Sequence, residues 1–481
     1  MTAAPPPSVA APPAGRVTAR LGRPAIVATG IAVALAATAA TAVAPALGVT
    51  ALALLALAPI VLRGPVVALA ALTAVLFVQR MPPFGLLATA LLLLVAARWA
   101  EARWTGIGRR APVVPRALTA AVLGLVLWLG LSLTWARHAG PAETKLGDWA
   151  VSAAILGVVV SVVRERAHVR VIVRAFIAGA VVSVLFGLGV AALAPGGALA
   201  QRAWFEGRLQ GASGDPNFLA AGLVAAIALA VGALAASPRR SLDRRCLLAA
   251  IVVLVAGLGA TQSRGGILAA VATAALAVAL GHGRGRGRRR ALGLGVGAAL
   301  LVAALAVSPG GLTRIATPDV EGNGRADLWR VGERMVAQHP YVGVGLANFP
   351  VRSADLALDP GRLTFAELIA ERPLDAHNTY LQLLAEAGPP GLMAYLIVVG
   401  LALGCAWRAQ RRLTALGERE LASAAQSVFL AVIGMLVALL FLTNGDDMRL
   451  WILLGLGPAL LAMAGRRAER APGPVTGRPA P

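Results

Sequence analysis

Three arginines and one histidine stand in settings where anion and proton chemistry can be built. They are Arg208 in GRLQGASGDPN (207–217), Arg264 in SRGG (263–266), Arg325 in GRADLW (324–329) and His377 in AHNTYLQLLAEAGPPGL (376–392). A guanidinium is a planar fork of N–H donors that matches two oxygens of one phosphate, so three of them around one anion suit a phosphate group. Gly265 and Gly266, beside Arg264, let a second backbone or a ligand come close. Each arginine also has a local explanation. Arg264 opens a helix where a snorkelling anchor would sit. Arg208 lies in a solvated loop, and Arg325 lies on the polar face of a short amphipathic helix whose apolar stripe is Leu328, Val331 and Met335.

His377 begins a predicted helix that runs through Tyr380, Leu381, Leu384 and Glu386 and stops at Gly388-Pro389-Pro390. A helix N-terminus disfavours imidazolium, which leaves a neutral imidazole able to act as a base near pH 7. The alternative is a histidine that only caps or packs locally. His339, before Pro340, reads as a turn residue, and His138, His168 and His282 fall near helix ends without a role. Asp446 and Asp447 in TNGDDMR resemble a metal or base pair, yet two carboxylates in a short loop read as solvated. No histidine–carboxylate set has metal-ligand spacing, so neither metal nor other cofactor is expected. Cys246 and Cys405 read as small buried hydrophobes. A phosphate-binding glycine loop and a serine-nucleophile elbow are both absent.

The elements that must hold these residues are membrane helices. Of 481 residues, 58% are hydrophobic and 14% charged, too few charges to cover a water-facing surface, for which about 25% is usual. The net charge of +22 does not indicate nucleic acid, because the arginines form short clusters between apolar runs instead of one basic face. Helices are predicted at 25–43, 46–62, 65–79, 83–99, 117–135, 148–163, 169–194, 216–236, 245–260, 264–282, 290–308, 389–407, 422–443 and 448–465. That is an all-α polytopic chain of about 12–14 spans, each near the ~20 residues a bilayer requires. Numbering the gaps alternately puts 30 of the 44 basic residues on the side of the N-terminus, which the positive-inside rule makes cytoplasmic. Sixteen of the 22 acidic residues fall on the other side, leaving no Asp, Glu, Lys or Arg in the interior of a predicted span. The implied organisation is a disordered cytoplasmic tail (1–24), helices with short loops (25–308), a long partly helical periplasmic loop (309–388), C-terminal helices (389–465) and a cytoplasmic tail (466–481).

GRLQGASGDPN, SRGG, GRADLW followed by HPYVGVGLANF (339–349), and AHNTYLQLLAEAGPPGL together resemble the O-antigen ligase and polymerase superfamily of bacterial envelope glycosyltransferases. The resemblance covers about residues 200–400, and Pro389-Pro390 departs from the small residues expected after the loop helix. It implies a GT-C-like enzyme of the bacterial inner membrane, with its active site facing the periplasm, that moves a glycan from undecaprenyl diphosphate to an acceptor hydroxyl. It further implies a metal-independent, inverting reaction, with Arg208, Arg264 and Arg325 on the diphosphate and His377 as the base. Asn217, Asn378 and Glu386 would orient the sugar or the histidine. The partners would be the lipid-linked donor, a lipid A-core or other envelope acceptor, and membrane lipid. A polymerase extending glycan repeats on the same donor is the alternative. A solute transporter is the less favoured class, because ion-coupled carriers place charged residues near the midplane.

The charge asymmetry fixes a testable topology. Single cysteines at Gly285 and Ala357, exposed to a membrane-impermeant maleimide in intact cells, should label at Ala357 and not at Gly285. The reverse pattern would invert the stack.

Overall fold

A computed structural model describes residues 64–81, 84–104, 114–280, 297, 320–357, 363, 366–371 and 374–470. The chain divides into two units, 1–58 and 59–481, and all described residues belong to the second. The described elements are α1 (Pro65–Val75), α2 (Phe84–Trp104), α3 (Arg116–Leu131), α4 (Ala139–Val162), α5 (Arg166–Leu193), α6 (Ala198–Ala203), a hairpin β1 (Trp204–Phe205) and β2 (Arg208–Leu209), α7 (Pro216–Ala236), α8 (Leu242–Thr261) and α9 (Arg264–Ala279). They continue with α10 (Val320–Gln338), α11 (Phe349–Ala357), α12 (Ala366–Glu371), α13 (Thr379–Ala415), α14 (Arg419–Ala438) and α15 (Met448–Arg470). The fold is all-α and polytopic: among the described residues, nine helices are long and apolar enough to cross a membrane, and α1 and α9 are shorter apolar helices. The spans expected at 25–43, 46–62 and 290–308, and the tail at 1–24, lie outside the described residues.

Two boundaries differ from expectation for physical reasons. The span expected at 148–163 begins nine residues earlier, so that α4 carries AGPAETKLGDW as its first three turns. Lys145 and Asp148 therefore lie on a membrane-length helix, which corrects the expectation that spans carry no ionisable residue. Lys145 is tolerated there because it is ion-paired to Asp446 at 2.8 Å. The C-terminal span joins the loop helix before it, because α13 runs from Thr379 to Ala415 with a single break at Gly388 (φ 66°). Pro389 and Pro390 follow that break, where a helix that restarts needs no N–H from its first residues.

α7 and α15 are the most enclosed of the long helices. α7 packs along α14 and α8, and α15 along α13 and α4. The sequence of α7, PNFLAAGLVAAIALAVGALAA, is small-residue-rich on every side, which lets neighbours approach without a hydrophobic driving force between helices. Conserving space is also why α5 meets α1 through glycine: a Cβ at Gly179 would lie 2.5 Å from the Ala74 carbonyl oxygen.

Charged side chains sort to the two ends of the bundle. At one end Arg166 pairs with Glu418 at 2.6 Å, Arg170 with Glu420 at 2.7 Å and Arg174 with Asp243 at 2.7 Å, and Arg467 also pairs with Glu418. At the other end are gathered the α3–α4 corner, the β-hairpin, the N-termini of α7 and α9, the loop 339–349 and the segment 441–449. There Trp128 Nε1 donates to the Ala387 carbonyl at 2.8 Å, and Arg137 pairs with Asp355 at 2.6 Å.

The α1–α5 contact predicts an asymmetry along one helix. Gly179→Ala must push backbone aside and should destabilise by about 1–3 kcal/mol. Gly189→Ala, with nothing within 4 Å, should be neutral or slightly stabilising. Thermal unfolding in detergent distinguishes them, and equal midpoints would refute the packing.

Candidate functional site

Arg208 is placed by a hairpin too short for any other arrangement. Glu206 (φ 48°) and Gly207 (φ 72°) both take the left-handed region, the turn geometry that matches the twist of two flanking strands. The turn carries Arg208 inward, where it is 4% exposed. Its Nε donates to the Thr261 carbonyl at 3.1 Å and its Nη2 to Asn217 Oδ1 at 3.1 Å. Thr261 ends α8, so the guanidinium also sits where a helix gathers negative partial charge. Asn217 Oδ1 accepts a second bond, from Ser263 Oγ at 2.8 Å, and Ser263 caps α9 by accepting from Gly266 N–H at 3.1 Å. Arg208, Asn217 and the residue before Arg264 are thus one hydrogen-bonded group, at which α7 and α9 both begin. The α7 N-terminus is already capped by a carboxylate, Asp215 Oδ1 accepting from the Asn217 and Phe218 N–H groups at 2.7 and 2.9 Å, so the features here that attract an anion are the start of α9 and the two arginines. Gly265 and Gly266 serve helix packing, for a Cβ would meet Phe441 at 2.7 Å and Ala220 at 2.6 Å.

His377 lies in a second group, and not as the first residue of its helix. Asn378 is the N-cap, its Oδ1 accepting from the Tyr380 and Leu381 N–H groups at 3.1 Å each. Asparagine is a strong N-cap former because its carbonyl takes these orphan donors. His377 falls one residue outside the cap, in the left-handed region at φ 47°. For a residue with a Cβ this costs about 1–2 kcal/mol, and such a conformation persists only where its surroundings enforce it. Arg325 lies on α10, whose Trp329 Nε1, one turn further on, donates to the Ala376 carbonyl at 3.1 Å. The stripe Leu328, Val331 and Met335 is buried against Phe349, Leu356, Ile369 and Ala385, which fixes α10 over the start of α13.

Glu386 is bonded within the protein. It is 3% exposed, and its carboxylate accepts from the N–H groups of Ala347 at 2.9 Å and Phe349 at 3.1 Å and from Gln382 Nε2 at 3.0 Å. Val344 and Gly345 N–H bond to the Ala385 and Glu386 carbonyls at 2.9 and 2.8 Å. The HPYVGVGLANF stretch is therefore stitched to the last turns before the Gly388 break. Gly343 (φ 72°) makes this possible, since a Cβ there would meet the Glu386 backbone at 2.4 Å.

The segment 443–449, expected to be solvated, joins the two groups. Asp446 pairs with Lys145, and Asp447 forms a buried two-pronged pair with Arg449, 2.6 Å from Oδ2 to Nη2 and 3.0 Å from Nε. Burial of both carboxylates follows from their cationic partners arriving on α4 and α15. Arg449 Nη2 also donates to the Phe218 carbonyl at 3.3 Å, and its guanidinium carbon lies 5.1 Å from the centre of the Phe77 ring. Asn444 Nδ2 donates to Asp447 at 2.9 Å, and Asn444 N–H donates to Thr379 Oγ1 at 3.1 Å. A continuous path therefore runs from the start of α7, beside Asn217, to the start of α13, beside Asn378. An adjoining cleft of about 440 Å³ is lined by Arg80, Asp148, Asn444, Asp446 and Arg449 with apolar Leu76, Leu92 and Val151. Sequence reading missed Lys145, Gln382 and Arg449, and read Asp447 as solvated. Arg449 carried a usable signal, because like Arg264 it is an arginine on the basic-poor side. Of the cysteines, Cys405 is buried and Cys246 is exposed, contrary to expectation.

Among the described residues no three His, Cys, Asp or Glu side chains are grouped to hold a metal ion. Residues 249–396 match the family model described as O-Antigen ligase, a stretch that includes SRGG, GRADLW and the His377 segment. No curated protein matches the chain.

The Asp447–Arg449 pair should be a stability determinant. Asp447→Ala leaves a buried guanidinium uncompensated and should cost about 3–5 kcal/mol, whereas the double change Asp447→Leu with Arg449→Met should regain much of it. Denaturant or thermal unfolding of the solubilised protein measures both. A single variant as stable as wild type would show that the pair does not hold this end together.

Proposed function

Taking the O-antigen ligase and polymerase superfamily of residues 249–396 as premise, we propose that this protein is an inner-membrane glycosyltransferase of the ligase type. It moves a glycan from undecaprenyl diphosphate to an acceptor hydroxyl, a lipid A-core or another envelope acceptor, at the periplasmic end of its bundle. The observation that carries this reading is that Arg208 and the start of α9, beside Arg264, gather at the same end of the bundle as His377, and that a hydrogen-bonded path through Arg449, Asp447 and Asn444 runs from the start of α7 to Thr379, two residues after His377.

In this reading Arg208, Arg264 and Arg325 hold the diphosphate and stabilise it as it leaves, supplying preorganised positive charge in a water-poor site. His377 takes the proton from the acceptor hydroxyl as that oxygen attacks the anomeric carbon. Attack opposite the leaving diphosphate inverts the anomeric centre. No metal ion is required, because guanidinium groups and helix dipoles do the neutralising. Asn217 and Asn378 act indirectly, the first by fixing Arg208 and Ser263, the second by capping the start of α13 so that His377 stands outside it.

The test pairs a base variant with a grip variant. His377→Ala should lower transfer by about 10²–10⁴ while undecaprenyl diphosphate still binds, so that lipid-linked glycan accumulates in cells. Arg264→Lys keeps the charge but loses the fork, and should weaken both transfer and binding. Arg202→Lys and His339→Ala should stay close to wild type. Near-normal transfer by purified His377→Ala protein would remove the base assignment. Equal, mild losses at Arg264 and Arg202 would reduce Arg264 to an interfacial anchor.

A further inference from the structure

We infer that Gln382 is a positioning residue for His377, acting through a side-chain amide whose hydrogen-bonding capacity is filled on both ends. The inference rests on the reading of His377 as the base. Gln382 is 5% exposed and lies in the first turns of α13. Its Nε2 donates to Asp375 Oδ1 at 2.9 Å and to Glu386 Oε1 at 3.0 Å. Its Oε1 accepts from the Ala376 N–H at 3.0 Å and from Thr443 Oγ1 at 2.9 Å. An amide offers two N–H donors and two acceptor lone pairs, so all four are used. Its orientation admits no reversal, because the nitrogen faces two carboxylates and the oxygen faces two donors.

Hydrogen bonds hold the chain on either side of His377. Ala376, immediately before it, has its N–H held by Gln382 and its carbonyl held by Trp329 Nε1 at 3.1 Å. Thr379, two residues after it, has its N–H and its hydroxyl both on the Leu442 carbonyl, at 3.0 and 2.6 Å. Thr443, next to Leu442, returns to Gln382. The chain is therefore fixed on both sides of a non-glycine residue at φ 47°, which is the over-determination that a left-handed conformation requires. Gln382 bonds to Ala376 before the histidine, to Thr443 beside the Leu442 that holds Thr379 after it, and to the Glu386 carboxylate that holds the 343–349 loop. Replacement by a side chain of equal length without the amide would let the Ala376–His377 peptide relax and swing the imidazole off the acceptor. An error of about 1 Å in such a group is worth about 10²-fold in rate.

A double-mutant cycle in purified protein tests this, with undecaprenyl diphosphate as the binding probe and consumption of undecaprenyl-diphosphate-linked glycan as the rate. Gln382→Met should lower turnover about 10–100-fold with undecaprenyl diphosphate affinity unchanged. Combined with His377→Ala it should be no slower than His377→Ala alone, because a residue acting through His377 has nothing left to position. Losses that multiply, or a Gln382→Met protein that turns over like wild type, would overturn the inference while leaving the base assignment intact. A His377→Ala protein of normal activity would overturn both. Should Gln382→Met not accumulate, Gln382→Glu decides. Its carboxylate repels Asp375 and Glu386 when ionised but restores one donor and one acceptor when protonated, so its rate relative to wild type should rise as pH falls. A ratio that stays flat or drops on acidification would also overturn the inference.

Discussion

The buried pair of Asp447 and Arg449 is the contact on which one end of the bundle depends. Both side chains lie at the start of α15, one of the most enclosed helices, where a lone charge would face a desolvation penalty of several kcal/mol. They meet that penalty with a two-pronged bond, the Phe218 carbonyl, the Asn444 amide and the face of Phe77. Because those partners belong to α7, to the segment before α15 and to the stretch after α1, satisfying one arginine ties three distant parts of the chain together. Gly222 has no side chain for the same reason, since a Cβ there would lie 2.9 Å from Arg449 Nη1.

The remainder of the bundle is governed by the opposite economy, in which polar groups are kept out of the middle. Small residues along α5, α7 and α9 let helices touch through backbone, the means of packing open to helices whose surroundings are as apolar as themselves. Charges gather at the ends, where Arg166, Arg170 and Arg174 find Glu418, Glu420 and Asp243 across three different loops. Lys145 and Asp148 extend the other charged end about two to three turns down α4, which weakens an argument against transport based on uncharged spans. Their position at the polar end and the pairing of Lys145 with Asp446 still set them apart from a midplane ion path.

Local strain at His377 and the network around it have one origin. The Asn378 cap starts α13 one residue after the histidine, and the bonds on Ala376 and Thr379 then leave His377 no relaxed backbone region to occupy. The Gly388 break has a comparable cause, because the Tyr341 carbonyl approaches so closely that a Cβ at Gly388 would sit 2.3 Å from it. Loop 339–349 therefore reaches its place only because two glycines, Gly343 and Gly388, leave room against α13.

Apolar runs of about 20 residues can do little but cross a bilayer, so the sequence by itself determined the all-α polytopic fold, most helix positions and the sorting of arginines to one end. It also marked Arg208, Arg264, Arg325 and His377, since each breaks a local pattern: an arginine on the basic-poor side, or a histidine at a helix start. The tertiary structure alone decided which of these meet. Asn217 joins Arg208 to Ser263 across residues 9 and 46 positions apart, and no period in the sequence encodes such a pairing. Asp446 and Asp447 look like a solvated turn until Lys145, 301 residues earlier, is brought to 2.8 Å. Gln382 is one polar residue on an otherwise ordinary helix start, and its weight comes from Asp375, Ala376, Glu386 and Thr443 arriving together. Composition and periodicity report the energy of leaving water, which is local and additive. Hydrogen-bond satisfaction inside a low-dielectric bundle is neither, and it is settled only when the whole chain has folded.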